Sequence, residues 1–135
     1  GDPVLSEQWY TQQSTSRKRP PTHATSVEAL ADAVGAAGVT QITGRVLGDG
    51  SRYDDERYPP GWADDIRVSF DGRAIGALAI NDSRSPSDAQ SSNPTPSAAA
   101  AFLGLRDQRG IAGAGGSRDG AAPVGAGHTG TCSPL

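Results

Sequence analysis

One stretch, residues 39–82, constrains the fold more than any other, because it holds the best strand signals beside the densest acidic cluster. Ile42, Gly44 and Val46 alternate with Gln41, Thr43 and Arg45, the period of a half-buried strand. A helix signal lies just upstream, over residues 25–38. Thr25 and Glu28 have capping-box spacing. Val27, Leu30, Ala31 and Val34 fall on one helical face, and Gly38 stands where a glycine cap is expected. The order helix, glycine, strand predicts an αβ connection.

Gly48-Asp49-Gly50-Ser51 ends that strand with a strong turn signal. A loop over residues 51–65 interleaves Tyr53, Tyr58 and Trp62 with Asp54, Asp55, Glu56, Asp64 and Asp65. Aromatic side chains in a loop either close an edge of the fold or meet a ligand, and the residues alone leave both open. Beyond it, Ile66, Val68 and Phe70 alternate with Arg67 and Ser69, which predicts a strand, and Asp71-Gly72 predicts a hairpin turn. The small apolar run over 74–80 suits a central strand. Residues 81–93 read as a loop, and residues 94–110 as a second helix capped by Asn93 or Thr95. The expected organisation is an irregular lead-in over 1–24, with Trp9 and Tyr10 as a docking pair. A mixed α/β module, helix-strand-hairpin-helix with short strands, follows over 25–110. A Gly/Ala-rich tail with at most a short hairpin occupies 111–135.

Composition narrows the function classes. Hydrophobic residues are 35% of 135, and 18 glycines with 10 prolines make loops abundant, so any core is modest. A net charge of −3 supplies no field for nucleic acid. The basic run Arg17-Lys18-Arg19 precedes two prolines and reads as a solvated linker. No apolar run approaches the ~20 residues of a membrane span. The opening Gly1-Asp2-Pro3 and the absence of methionine suggest a processed product or an excised segment. Cys132 has no cysteine to pair with, and His128 lies among glycines, so the two do not form a pre-organised nucleophile and base. Histidine and cysteine are too few and scattered for zinc, and the acidic loop lacks the calcium-loop spacing. No metal and no cofactor are expected.

The motifs of acyl-transfer enzymes are missing too. G-x-S-x-G does not occur. Lys18 is the only lysine and Thr15 stands three residues before it, so S-x-x-K is absent, and K-T-G is impossible. Ser91-Ser92-Asn93 matches S-x-N by letter, in a serine-rich loop where coincidence suffices.

Several stretches, in order, nevertheless resemble one family. Gly1-Asp2-Pro3-Val4-Leu5 is similar to G-G-G-D-P-x-L. Residues 37–44 are similar to A-G-V-x-x-I-x-G, and residues 48–54 to G-D-x-S-x-F-D. Pro60-Gly61-Trp62 with Asp64-Asp65 matches P-G-W followed by acidic residues, residues 75–82 match S-A-L-x-x-N-D, and residues 96–110 match a helix ending in glycine. Residues 122–124 and 133–135 match the passage before an S-x-N helix. These are stretches of the peptidase S13 D-alanyl-D-alanine carboxypeptidases, the class C penicillin-binding proteins, in their actinobacterial form.

The resemblance implies an internal segment. In the family S-x-x-K precedes the G-D-P stretch, and S-x-N and K-T-G follow the S-P-L stretch. The chain then corresponds to an inserted subdomain of a β-lactamase/transpeptidase-like protein, extracytoplasmic and inactive alone, with no catalytic residue of its own. It also implies a role for three residues in gripping the diaminopimelate side chain of the peptidoglycan stem peptide: Trp62, Asp65 three positions on, and Phe70. The family usually has tyrosine at the last, and the alignment there needs a one-residue gap. β-Lactams would be met only through the catalytic domain. Val4 for the usual threonine, the insert at 17–19 and Cys132 depart from the family pattern. Two other readings remain: a non-catalytic module binding peptidoglycan peptides outside the cytoplasm, and an inactive truncated gene product.

Overall fold

A computed structural model describes residues 4–16, 23–68, 72–85 and 90–121. It is mixed α/β, with four helices and very short strands. In chain order these are β1 (Leu5–Ser6), α1 (Gln8–Ser16), β2 (Thr25–Ser26), α2 (Val27–Ala36), β3 (Val46–Gly48), α3 (Asp64–Val68), a 3-10 turn (Asn81–Ser83), α4 (Pro94–Gln108) and β4 (Ser117–Asp119). β1 pairs in parallel with β2, Leu5 opposite Thr25. β3 pairs in parallel with β4, Val46 opposite Ser117 and Gly48 opposite Asp119.

The helix expected over 25–38 forms as α2, with its cap moved by one residue. Thr25 is taken by strand pairing, its N–H donating to Val4 O at 3.1 Å. Ser26 therefore caps the helix, its Oγ accepting the Ala29 N–H at 3.1 Å. The move puts Glu28 at the second helical position, so the expected capping box does not close; Glu28 instead accepts from Ser26 Oγ at 3.0 Å and from the Gln8 N–H at 2.7 Å, tying α1 to α2. The apolar stripe is narrower than expected: Val27 and Ala31 are buried, whereas Leu30 is 52% exposed.

α2 and α4 end alike. Gly38 (φ 82°) and Gly110 (φ 70°) take the left-handed conformation that glycine adopts without Cβ strain. The next residues close the same six-residue bond, Val39 N–H to Val34 O at 3.4 Å and Ile111 N–H to Arg106 O at 3.3 Å. After each helix end the chain runs forward beside its counterpart. Ile42 N–H donates to Ala112 O (2.8 Å), Ala112 N–H to Thr40 O (2.9 Å), and β3 and β4 follow. The fold thus contains two helix–glycine–strand units with their strands side by side.

Four expectations are corrected. The lead-in over 1–24 contains α1. The strand expected from Ile66 and Val68 is instead the short helix α3. Asp64 and Asp65 fill its first turn, where carboxylates favour a helix start, and Ile66 and Arg67 both donate N–H to Ala63 O. Phe70 and Asp71, the end of that strand and the start of the hairpin turn, lie outside the described residues. The run 74–80 forms no strand; its small residues serve close approach instead, since a Cβ on Gly76 would sit 2.9 Å from Pro94 Cγ of α4. The glycine-rich stretch expected to hold at most a hairpin supplies β4.

The core is small and alanine-rich: Val27, Ala31, Ile80, Ala98 and Leu105, with Leu5, Leu78, Ala101 and Phe102 against it. Arg106 is only 2% exposed. Its guanidinium reaches Asp107 Oδ1 at 2.6 and 3.0 Å and Gly113 O at 3.3 Å, pairing the buried charge where α4 meets the path to β4, while its Nη1 has no partner among the described residues.

Candidate functional site

The loop from β3 to α3 is built from short local devices. Asp49 Oδ1 accepts from Ser51 N–H (2.9 Å) and Ser51 Oγ (2.6 Å), an Asx turn that carries the chain out of β3. Asp54 Oδ1 repeats the pattern with Glu56 N–H at 3.0 Å. Arg57 pairs with Asp55 at 3.0 Å, and its carbonyl accepts the Ile75 N–H at 2.9 Å, pinning the loop to the following segment. Pro59-Pro60-Gly61 then turns the chain: Trp62 N–H donates to Pro59 O at 3.2 Å, and Gly61 sits at φ 87°.

That turn delivers Trp62, half-buried, immediately ahead of α3. Asp65 is exposed in the first helical turn, its Oδ1 accepting the Ile66 N–H at 3.0 Å. Arg67, in the last turn of the helix, lies 3.8 Å from Asp64, with its guanidinium carbon 5.6 Å from the Tyr58 ring centre. Trp62 and Asp65 thus lie three residues apart across the turn that leads into α3, Trp62 half-buried and Asp65 exposed. The third residue of the set, Phe70, lies outside the described residues.

The letter match to S-x-N resolves into a turn. Ser91 Oγ donates to Asn93 O (2.9 Å), lies 2.6 Å from Ser97 Oγ, and accepts the Asn93 N–H at 3.2 Å. These bonds shape the entry to α4 and include no base that would activate the hydroxyl.

Sequence reasoning missed a second polar centre. Asn81 is 1% exposed and clasps Glu7, accepting the Glu7 N–H and donating to Glu7 Oε2, both at 2.7 Å. Trp9 Nε1 donates to the same carboxylate oxygen at 2.8 Å, and Tyr10 Oη bonds Asp82. Trp9 and Tyr10, carried on α1 and not on the irregular lead-in expected there, meet edge-to-face with ring centres 5.6 Å apart. Asn81, Asp82 and Ser83 all have positive φ (54°, 50°, 58°). The signal was present in the residue types, since Asn and Asp tolerate this conformation best after glycine. Beside the turn lies a groove of about 560 Å³, lined by Ile80, Ala101 and Leu105 together with the polar Ser83, Arg84 and Gln90.

Asp32, midway along α2, pairs at 2.5 Å with Arg109, the C-cap of α4. The guanidinium hydrogen bond holds the Asp32 carboxyl below its usual range and raises Arg109 in turn. No three His, Cys, Asp or Glu side chains converge to hold a metal ion among the described residues. No described helix is long and apolar enough to cross a membrane.

The sequence model of the D-Ala-D-Ala carboxypeptidase 3 (S13) family matches residues 1–108, most of the chain and all of the corner that carries Trp62 and Asp65. The chain belongs to that family, and a role related to D-Ala-D-Ala carboxypeptidases follows from membership. No curated protein and no solved structure matches it.

Proposed function

We propose that this chain is the substrate-gripping insert of a serine-type D-Ala-D-Ala carboxypeptidase acting in peptidoglycan maturation outside the cytoplasm. In this reading residues 25–110 form an inserted module beside a transpeptidase domain that carries the acylating serine. Trp62 and Asp65 take the diaminopimelate side chain of the stem peptide: the indole lies along its methylenes and the carboxylate pairs with its terminal ammonium, with Phe70 as the second aromatic. The family match across this corner is the observation that carries the reading. The sequence supplies no S-x-x-K lysine to deprotonate a serine, so the chain contributes binding and not bond cleavage.

The test replaces the residues corresponding to Trp62 and Asp65 by alanine in a complete family enzyme. The expected result is a KM for diaminopimelate-containing peptide raised about tenfold, or ~1.4 kcal/mol, with turnover of an uncharged ester little changed. Unchanged peptide kinetics would remove both residues from the site.

A further inference from the structure

β3 and β4 form a parallel ladder of three residues on each strand. Val46 N–H donates to Gly116 O at 3.1 Å, and Gly120 N–H to Gly48 O at 3.0 Å. Successive peptide groups of an extended chain point to opposite sides. The N–H and C=O groups of Ser117 and Asp119, between those anchors, therefore point away from β3. They have no partner among the described residues. α4 lies over one face of the ribbon, where a Cβ on Gly48 would come 2.6 Å from Thr95 O. The opposite face presents Leu47, 40% exposed, beside Arg118, its register partner, with exposed Arg45 two residues back. A two-stranded parallel ribbon is well short of a self-sufficient sheet, and parallel sheets normally carry more strands.

We infer that the outer edge of β4 is a strand-docking edge, and that its occupant is an extended peptide with carboxylate side chains at alternate positions. Main-chain bonds to Ser117 and Asp119 supply the pairing. The open face supplies the selectivity: a docked residue opposite Arg118 lies on the face shared by Arg118, Leu47 and Arg45, where a carboxylate gains and a cation is repelled. A second copy of the chain fits less well. Antiparallel pairing of Ser117 with Asp119 across a two-fold axis sets Arg118 directly opposite Arg118, which is destabilising. This inference is independent of the role proposed for Trp62 and Asp65.

The experiment titrates the isotope-labelled chain with two capped pentapeptides, Glu-Val-Glu-Val-Glu and Lys-Val-Lys-Val-Lys, following amide signals by NMR. The glutamate peptide is expected to shift and protect the Ser117 and Asp119 amides, and the lysine peptide to bind at least about tenfold more weakly. Ser117→Pro removes an outward N–H while sparing the bonds to β3, so it is expected to weaken binding with the Gly120 amide still protected. Should that variant lose the ladder, Arg118→Glu decides, since it is expected to reverse the preference between the peptides. The inference is overturned if shifts occur only away from β4 or the two peptides bind equally. It is also overturned if Arg118→Glu leaves the preference unchanged, or if the Ser117 and Asp119 amides are already protected by self-association without peptide.

Discussion

The side-chain amide of Asn81 and the backbone and carboxylate of Glu7, 74 positions apart, meet through two hydrogen bonds of 2.7 Å. This clasp fastens the N-terminal segment to a turn of three left-handed residues, each of which costs roughly 1–2 kcal/mol when it is not glycine. The buried amide offsets that strain by satisfying groups that burial would otherwise leave unpaired. Asn81→Ala is expected to destabilise the chain by about 2–3 kcal/mol, as read from the urea midpoint. Asn81→Gly relieves the strain without restoring the bonds, so it should fall between alanine and the parent. A glycine variant no more stable than the alanine one would show that the turn carries no strain.

The close approach of the two helix–glycine–strand units rests on missing side chains. A Cβ on Gly115 would lie 1.9 Å from Gly44 O, and one on Gly113 would lie 2.6 Å from Arg106 Nη1 and 2.7 Å from Ile42 O. Gly115→Ala must move backbone and is expected to cost about 1–3 kcal/mol or more. Gly116→Ala meets nothing within 4 Å and should lie within about 0.5–1 kcal/mol of the parent. Equal thermal midpoints for the two variants would contradict the pairing of these segments.

Asp32 sets an acid limb. Arg109 lowers its carboxyl pKa in the folded state, so the contribution is fully present above the unfolded-state value and is lost as pH falls through the folded one. The loss therefore falls in the acidic range below ordinary aspartate titration, not near neutrality. Asp32→Asn is expected to lower stability slightly at pH 7 and to converge with the parent as pH falls through the folded-state pKa of Asp32. Both groups are solvent-accessible, so added salt should shrink the difference. A parent-to-variant gap that widens on acidification would contradict the assignment.

What the sequence made legible follows from how local each signal is. α2 and α4 were readable because glycine C-caps and a run such as 98–101 act within one or two turns. Family membership was readable because it rests on short stretches in a fixed order. The supposed strand at Ile66 failed because period-two alternation is shared by a short helix whose start is favoured by Asp64 and Asp65. The run 74–80 failed because small apolar residues signal close approach as readily as a central strand, and Pro94 of α4 decides which. β4 was missed because its partner β3 is distant in sequence and Ser117-Arg118-Asp119 has no strand-like composition. At the site, the spacing of Trp62 and Asp65 was visible, whereas the Glu7–Asn81 clasp depends on two segments that only the fold brings together.

The central claim is that this chain carries the family's scaffold without the groups that form and break its acyl bond. Incubation of the folded chain with a fluorescent penicillin, followed by denaturing electrophoresis, tests it most directly, with a complete family enzyme as the positive control. The account predicts no covalent label on this chain and strong label on the control. A stable fluorescent adduct on any serine here would contradict it.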